Sequence, residues 1–212
     1  MLGADWVTIS ALATAGGTLV LAVATFASVR SANRAARVAE QSLLVGLRPL
    51  LVPSRLEDPA QKVAFAEGEY LVVPGGSAVA EAGDETVLLA AALRNVGSGI
   101  AVLHGWRFYA GRATHAEHAG LEDFTRFTRD IYIAAGDDGF WQGSFRDAST
   151  QEFADARGVV ESHGEWTIEV LYGDAEGGQR MISRYTMRTR EDGVWLAAAG
   201  RHWNVDRADP RD

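Results

Sequence analysis

The chain has 212 residues, 47% of them hydrophobic, which suits one globular domain with a packed core and argues against wholesale disorder. It contains no cysteine, which excludes disulfide bonds, thiolate metal sites and a thiol nucleophile. Residues 49–212 carry 16 basic and 26 acidic side chains, a net charge of −10, and such a surface gives no long-range attraction for nucleic acid.

The first feature along the chain is an uncharged run of 24 residues, from Trp6 to Val29. As an α-helix it would extend about 36 Å, against about 30 Å for the hydrocarbon core of a bilayer. A signal peptide has positive charge before a shorter apolar run, whereas here Asp5 precedes the run and three arginines follow it. The pattern predicts a retained single-pass anchor over residues 1–29, with the lipid bilayer contacted through residues 6–29.

A basic neck follows the anchor. Residues 30–48 are rich in alanine and predict a juxtamembrane helix that ends before Pro49. Because Arg30, Arg34 and Arg37 lie directly after the span, the positive-inside rule places the C-terminal domain in the cytoplasm, at the cell membrane. Ala13 and Gly17 form a small-residue pair of the kind seen where two helices pack. Alanine-rich spans contain such pairs by chance, so an oligomer is possible but is not supported by this pair.

The remainder predicts one mostly β domain over residues 49–206, with a disordered tail over 207–212. Apolar residues alternate with polar ones from Trp166 to Tyr172, which indicates a strand with one buried face and with Glu169 on the opposite, exposed face. The fold class is therefore mainly β: a transmembrane helix followed by an antiparallel β-sandwich of about eight strands, with one or two short helices. The predicted strands are 50–52, 70–73, 86–93, 100–108, 131–133, 140–145, 166–172, 181–187 and 195–199.

Three local patterns refine this prediction. Val102, His104 and Trp106 alternate along one strand, which places His104 on the apolar face, either as a general base or, preferably, as a hydrogen-bonded core residue. Residues 131–133 and 140–145 are expected to pair with each other across a glycine-rich turn. Ser149 and Glu152 form a capping box that starts a short helix.

The segment Leu93-Arg94-Asn95-Val96-Gly97-Ser98-Gly99 resembles bacterial immunoglobulin-like domains of the cell-adhesion-related (CARDB-like) kind, in which an N-x-G turn joins two core strands. The resemblance covers residues 86–109, and the segments 110–129 and 147–164 depart from it as insertions. The whole layout also resembles single-span membrane proteins of actinobacterial type. The immunoglobulin-like resemblance implies a binding or scaffolding module, and no functional residue is inferred from it.

His115 and His118 are the candidate metal ligands, because two imidazoles at this spacing lie on one side of a helix and carboxylates are nearby. No third ligand is evident in the pattern, so a solvated loop is the preferred interpretation and no cofactor is predicted. A metal-dependent enzyme or metal-binding protein that uses this pair is the alternative function.

Arg180, Arg184 and Arg188 lie on one strand face and span about 13 Å, so they are the candidate residues for binding an anionic partner. The preferred interpretation pairs them with acids such as Glu169 on the neighbouring strand. The acidic turns at 137–138 and 174–176 are expected to be ordinary β-turns rather than calcium loops. With no catalytic residue predicted, the leading hypothesis is a non-catalytic, membrane-tethered interaction or scaffold module with a protein partner.

Overall fold

The computed structural model describes residues 3–66 and 68–207, so the predicted tail falls outside the described residues except for Arg207. The chain divides into two compact units, Met1–Val45 and Gly46–Asp212. The first unit is helical, and the second holds all of the strands in the described residues.

Helix α1, Gly3–Gly46, continues from the apolar run through the basic neck, as the sequence predicts. Within the described residues it is the one helix long and apolar enough to cross a membrane, and none of its apolar segment is buried. The hydroxyls of Thr14, Thr18 and Thr25 each donate to the carbonyl four residues earlier, at 2.8–2.9 Å. These bonds satisfy polar groups that an apolar environment would otherwise penalise.

The second unit is mainly β, which confirms the predicted fold class. Its described residues form eleven strands, one α-helix and a short 3₁₀ turn at Leu121–Asp123. The elements are β1 (Leu51–Pro53), β2 (Gln61–Ala64), β3 (Tyr70–Val73), β4 (Ser77–Ala82), β5 (Val87–Asn95), β6 (Ala101–Ala110), β7 (Thr125–Ile133), β8 (Asp138–Phe145), α2 (Gln151–Glu161), β9 (Trp166–Asp174), β10 (Arg180–Thr189) and β11 (Trp195–Asn204).

Nine strands form one curled antiparallel sheet. Its order is β1-β5-β4-β11-β10-β9-β6-β7. Strand β8 lies outside this order and pairs with β5 from Val87 to Arg94. Strands β2 and β3 form a separate pair, whose apolar residues pack on β5. The inner face of the large sheet holds the main core, which includes Trp141, Trp166, Ile168, Tyr172 and Tyr185.

The predicted faces of β9 and β10 are confirmed. Trp166, Ile168, Val170 and Tyr172 point into the core, as do Met181, Tyr185 and Met187. The face predicted for β6 is wrong at Val102 and His104 but right at Trp106, because a β-bulge between Leu103 and Gly105 interrupts the alternation. Leu103 and Trp106 are therefore core residues, while Val102 and His104 are half-buried outside the core cluster.

The predicted pairing of residues 131–133 with 140–145 is also wrong. Strand β7 pairs with β6 through Ala101 and Ile133, whereas β8 pairs with β5 from Val87 to Arg94. The turn between β7 and β8 therefore crosses between two parts of the sheet, and Asn95 holds it there through backbone bonds to Gly136 and Asp137.

Asn95, in the N-x-G turn, is fully buried and uses its whole side-chain amide. Its Nδ2 donates to Gly99 O at 2.7 Å and to Ile133 O at 3.0 Å. Its Oδ1 accepts from Leu50 N at 3.1 Å and from Gly97 N at 3.0 Å. A Cβ on Gly99 would lie 1.8 Å from Leu47 O, so glycine is required for this close approach. The turn thus clamps the first residues of the β domain to the ends of β5 and β7.

Helix α2 packs Phe153, Ala156 and Val160 against the core, because their spacing of three and four residues places them on one face of the helix. Its N-cap is Thr150, whose Oγ1 accepts from Phe153 N at 3.3 Å, and not the predicted Ser149.

Candidate partner-binding site

A buried ion pair lies on the outer face of the sheet. Glu169 on β9 and Arg184 on β10 are cross-strand partners, and both Arg184 Nε and Nη2 donate to Glu169 Oε1, at 2.9 and 2.5 Å. The predicted pairing with Glu169 is confirmed for Arg184. The predicted exposure of Glu169 is wrong, since its side chain is 0% exposed and that of Arg184 only 5%.

The second oxygen of Glu169 is also satisfied. Oε2 accepts from Ala119 N at 2.9 Å and from the Tyr109 hydroxyl at 3.2 Å. Burial, together with the negative charge of Glu169, raises the pKa of Tyr109 to about 12, so the phenol remains a donor at neutral pH. The ion pair and these hydrogen bonds offset the cost of removing the Glu169 carboxylate from water.

The residues that cover this pair come from the segment 111–119, which we call the strap. Arg184 Nη1 donates to His115 O at 2.6 Å and its Nη2 to Glu117 O at 2.7 Å.

Two further contacts anchor the strap. Arg201 on β11 donates to Ala116 O, and Ala113 N donates to Thr167 Oγ1 at 3.1 Å. Surface loops usually lack such anchors, but this one is bound to β9, β10 and β11.

The two histidines of the strap contact different groups. The ring of His115 lies against Tyr109 at 5.2 Å between ring centres, and its Nε2 is 3.8 Å from Glu169 Oε1. The ring of His118 packs on Trp203, and its Nδ1 lies 2.6 Å from Ala119 O. Within residues 3–66 and 68–207, no three histidine, aspartate or glutamate side chains gather where they would hold a metal ion.

The three arginines of β10 have three different environments. Arg180 is bound to Asp206, with Nη2 to Oδ1 at 2.6 Å, and its charge is compensated there. Arg184 is buried against Glu169, so it holds the strap and offers nothing to a partner. Arg188 is exposed, and no acid in the described part of the chain lies within ion-pair distance of it. Of the three candidates, only Arg188 is available for an anion.

Arg188 borders a cleft of about 500 Å³ between the strap and β11, which we call the strap groove. Its floor is the outer face of β10 around Thr186. One wall is the strap from Arg112 to Ala116, and the other is β11 from Ala198 to Arg201. The volume falls within the range of about 300–1,000 Å³ typical of ligand clefts.

The strap groove is basic, although the domain around it is acidic. Arg112, Arg188 and Arg201 all line it, and the guanidinium of Arg201 also lies over the Trp203 ring at 5.7 Å. Among the described residues Arg112, like Arg188, has no ion-pair partner, so both charges face the cleft uncompensated. Neither Arg112 nor Arg201 was predicted as a binding residue, because the contacts that bring them to the groove join residues far apart in the chain.

A serine–histidine contact lies inside the sandwich. Ser183 Oγ is 2.5 Å from His202 Nδ1 and 2.9 Å from the Tyr172 hydroxyl. That hydroxyl accepts from Leu51 N at 3.3 Å, while the Tyr185 hydroxyl donates to Leu51 O at 2.8 Å. Ser183 is completely buried, so no substrate reaches its oxygen. The contact joins β1 to β9, β10 and β11 instead of forming a nucleophile.

His104, the candidate general base, is half-buried on the outer side of β6. The pKa of the His104 imidazole is lowered mainly by burial, and the nearby positive charges of Arg126 and Arg180 lower it further. The imidazole is therefore neutral at physiological pH, with no serine or carboxylate among the described residues within hydrogen-bonding distance of it.

The acidic turns have structural roles. Asp174 Oδ1 accepts from Gly178 N at 2.8 Å, which closes the β9–β10 turn as predicted. Asp138 lies beside Asp58, and Arg94 reaches both carboxylates, at 3.6 Å to Asp58 and 3.9 Å to Asp138. Burial, followed by the charge of Asp58, raises the pKa of Asp138.

Comparison of the chain with protein-family models, with curated proteins and with solved structures finds no match.

Proposed function

We propose that this protein is a membrane-tethered interaction module, in which α1 is a single-pass anchor and the β domain binds a protein partner in the cytoplasm through the strap groove. The observation that carries the proposal is the pair of uncompensated charges of Arg112 and Arg188 in this groove, on a domain whose net charge is −10. Exposed charge of the minority sign, gathered in a cleft, favours a partner of the opposite sign.

The anchor is supported by α1 itself. Its apolar segment is long enough to cross a bilayer and has no apolar partner within its own unit. A helix that is apolar on all sides belongs either in a large core or in a membrane. Arg30, Arg34 and Arg37 lie directly after that segment and favour a cytoplasmic domain.

A binding role is supported by how rigidly the groove is built. Arg184 fixes one wall through His115 O and Glu117 O, while Glu169 fixes Arg184. A preformed cleft loses less conformational entropy when a partner binds. The segment around Asn95 resembles the N-x-G turn of bacterial immunoglobulin-like domains, and that resemblance implies a binding module.

The test is site-directed cross-linking in native membranes. A photoreactive amino acid replaces Thr114, which is exposed on the groove wall, in the full-length protein. We expect a cross-linked protein band that disappears when Arg112 and Arg188 are both changed to glutamate. Arg55→Glu is the matched control, because Arg55 is exposed outside the groove and the change of charge is the same. A band that survives the double change, or no band at all, would contradict the proposal.

A further inference from the structure

We propose that the strap groove binds an extended acidic peptide segment whose carboxylates occur at every second residue. The inference rests on the proposed function and adds the chemistry and conformation of the partner. It follows from the spacing of the groove's arginines, the small residues in one wall and the charge of the surrounding domain.

The arginines are spaced to match an extended chain. Arg201 is the cross-strand partner of Arg184, and Arg188 lies four residues further along β10. At about 3.3 Å per residue, Arg201 and Arg188 are therefore separated by about 13 Å along the strand direction. In an extended peptide, side chains on one side recur about every 6.6 Å, so acids at the first and fifth positions reach the two ends. The third position faces Thr186, between Arg112 on the strap and β11.

The wall formed by β11 favours close approach of a peptide backbone. Ala198, Ala199 and Gly200 carry the smallest side chains, and Gly200 is displaced from the ladder by a bulge. Tyr185 pairs with Ala199 while Arg184 pairs with Arg201, so Gly200 has no cross-strand partner on β10. A helix about 10 Å wide needs a broad groove, whereas an extended chain fits beside a wall without bulky side chains.

The surrounding charge selects a short acidic segment over a long polyanion. The domain's net charge of −10 opposes a nucleic acid, which extends well beyond the groove. Screening limits that repulsion to about 8 Å at physiological salt, so a segment confined to the groove feels mainly Arg112, Arg188 and Arg201. Arginine forks bind carboxylates through paired hydrogen bonds, which supplies the recognition.

The probe is a fluorescein-labelled peptide with glutamate at three alternate positions, separated by alanine and flanked by glycine. Its fluorescence anisotropy is measured with the full-length protein in nanodiscs of uncharged lipid. Two matched peptides accompany it: one has glutamine in place of glutamate, and the other has the same three glutamates in a row. We expect the alternating peptide to bind at least about tenfold more tightly than either, with affinity falling as salt is raised.

Variants of exposed arginines complete the test. Arg112→Glu and Arg188→Glu each weaken binding by about tenfold or more, whereas Arg55→Glu changes it by less than about twofold. Equal affinity for alternating and consecutive glutamates would overturn the inference, as would equal losses in all three variants. So would displacement of the peptide by inorganic phosphate at the same concentration, since the groove would then bind any small anion. If the cross-linked partner is present but the peptide does not bind, only this inference fails; if both are missing, the proposed function fails too.

Discussion

Arg184 directs two guanidinium nitrogens at a single oxygen of Glu169, and this pair is buried beneath the strap although both residues lie on the outer face of the sheet. Arg184 also donates to the carbonyl oxygens of His115 and Glu117, and its guanidinium lies over the Trp203 ring at 4.8 Å. One ion pair therefore joins β9 and β10 and also holds the loop that forms a wall of the strap groove. Its loss should affect both the stability of the domain and the shape of the groove.

The first prediction concerns Glu169→Ala. The change leaves Arg184 buried without its counter-ion and removes the acceptor for Ala119 N and the Tyr109 hydroxyl. Breaking a buried pair in this way typically costs about 3–5 kcal/mol in the free energy of unfolding. Urea denaturation of the full-length protein in mild detergent, followed by tryptophan fluorescence, measures that loss.

Glu165→Ala is the matched control, because Glu165 is exposed just before β9 and its carboxylate has no hydrogen bond or ion pair among the described residues. This change should cost less than about 0.5 kcal/mol. A similar small cost for Glu169→Ala would show that the pair is not buried in solution.

The second prediction concerns the core at Ile168, which is completely buried. Ile168→Ala removes three carbon atoms from the packed face of β9 and leaves a cavity, at a cost of about 2–5 kcal/mol in the same denaturation measurement. The same substitution at Ile100, which is 44% exposed, should cost less than about 1 kcal/mol. Comparable losses at the two positions would contradict the observed faces of the sheet.

The third prediction concerns the Asn95 clamp. Asn95→Asp replaces Nδ2 by an oxygen, so Gly99 O and Ile133 O lose their donor and face a carboxylate instead. Each buried group left without a partner costs about 1–3 kcal/mol, so the two carbonyls together give an expected loss of about 2–6 kcal/mol in the free energy of unfolding. Asn33→Asp makes the same change on the exposed surface of α1 and should leave the unfolding of the β domain unaltered. An unchanged midpoint for Asn95→Asp would refute the clamp.

The strands of the β domain were predictable wherever strict alternation holds. The alternation from Trp166 to Tyr172 predicts the core face correctly, because β9 pairs regularly with β10 along its whole length. Strict alternation misplaces the face of β6, since a bulge near His104 interrupts the pairing of this strand with both β7 and β9. The mark that the sequence carries is Gly105, because an isolated glycine within a strand often indicates a bulge, and a Cβ there would lie 3.0 Å from Thr125 O.

The site was predictable only in part. The alternation correctly placed Glu169 on the face opposite the core, and that face is normally exposed. What buries it is the strap, whose residues lie about 50 positions earlier in the chain, as in the contact with Ala119. The strap's anchors are backbone carbonyl and N–H groups, which almost every residue has, so neither its path nor the groove beside it can be read from residue types.

The fourth prediction concerns pH and Asp138→Asn. Because burial and Asp58 raise the pKa of Asp138, the folded protein holds this proton more tightly than the unfolded chain does. The contribution of Asp138 to the free energy of unfolding is therefore fully present below the pKa of an unfolded aspartate, about 3.9. It is lost as the pH rises through the pKa of Asp138 in the folded protein. Asparagine carries no such charge, so the variant should be more stable than the parent near neutral pH and equal to it at about pH 3. Denaturation midpoints across this range give the comparison.

Asp206→Asn provides a control of opposite sign. Hydrogen bonds from Arg180 lower the pKa of Asp206, so its contribution to stability is present above the unfolded pKa and is lost as the pH falls through the folded value. This variant should be less stable than the parent near neutral pH, and the difference should shrink in acid. If both variants moved the midpoint in the same direction near neutral pH, the charge assignments at the two sites would be wrong.

The last prediction concerns the orientation of the anchor. Arg30, Arg34 and Arg37 are the basic residues closest to the apolar segment of α1, and basic residues near the end of a span are retained on the cytoplasmic side. A fluorescent reporter that folds only in the cytoplasm, fused after residue 212, should be active, whereas alkaline phosphatase at the same point should not. Changing the three arginines to glutamate should reduce the first signal and raise the second. The same reversal at Arg55, Arg157 and Arg190, which are farther from the span than the rule reaches, should change neither signal, and phosphatase activity in the parent fusion would refute the cytoplasmic orientation.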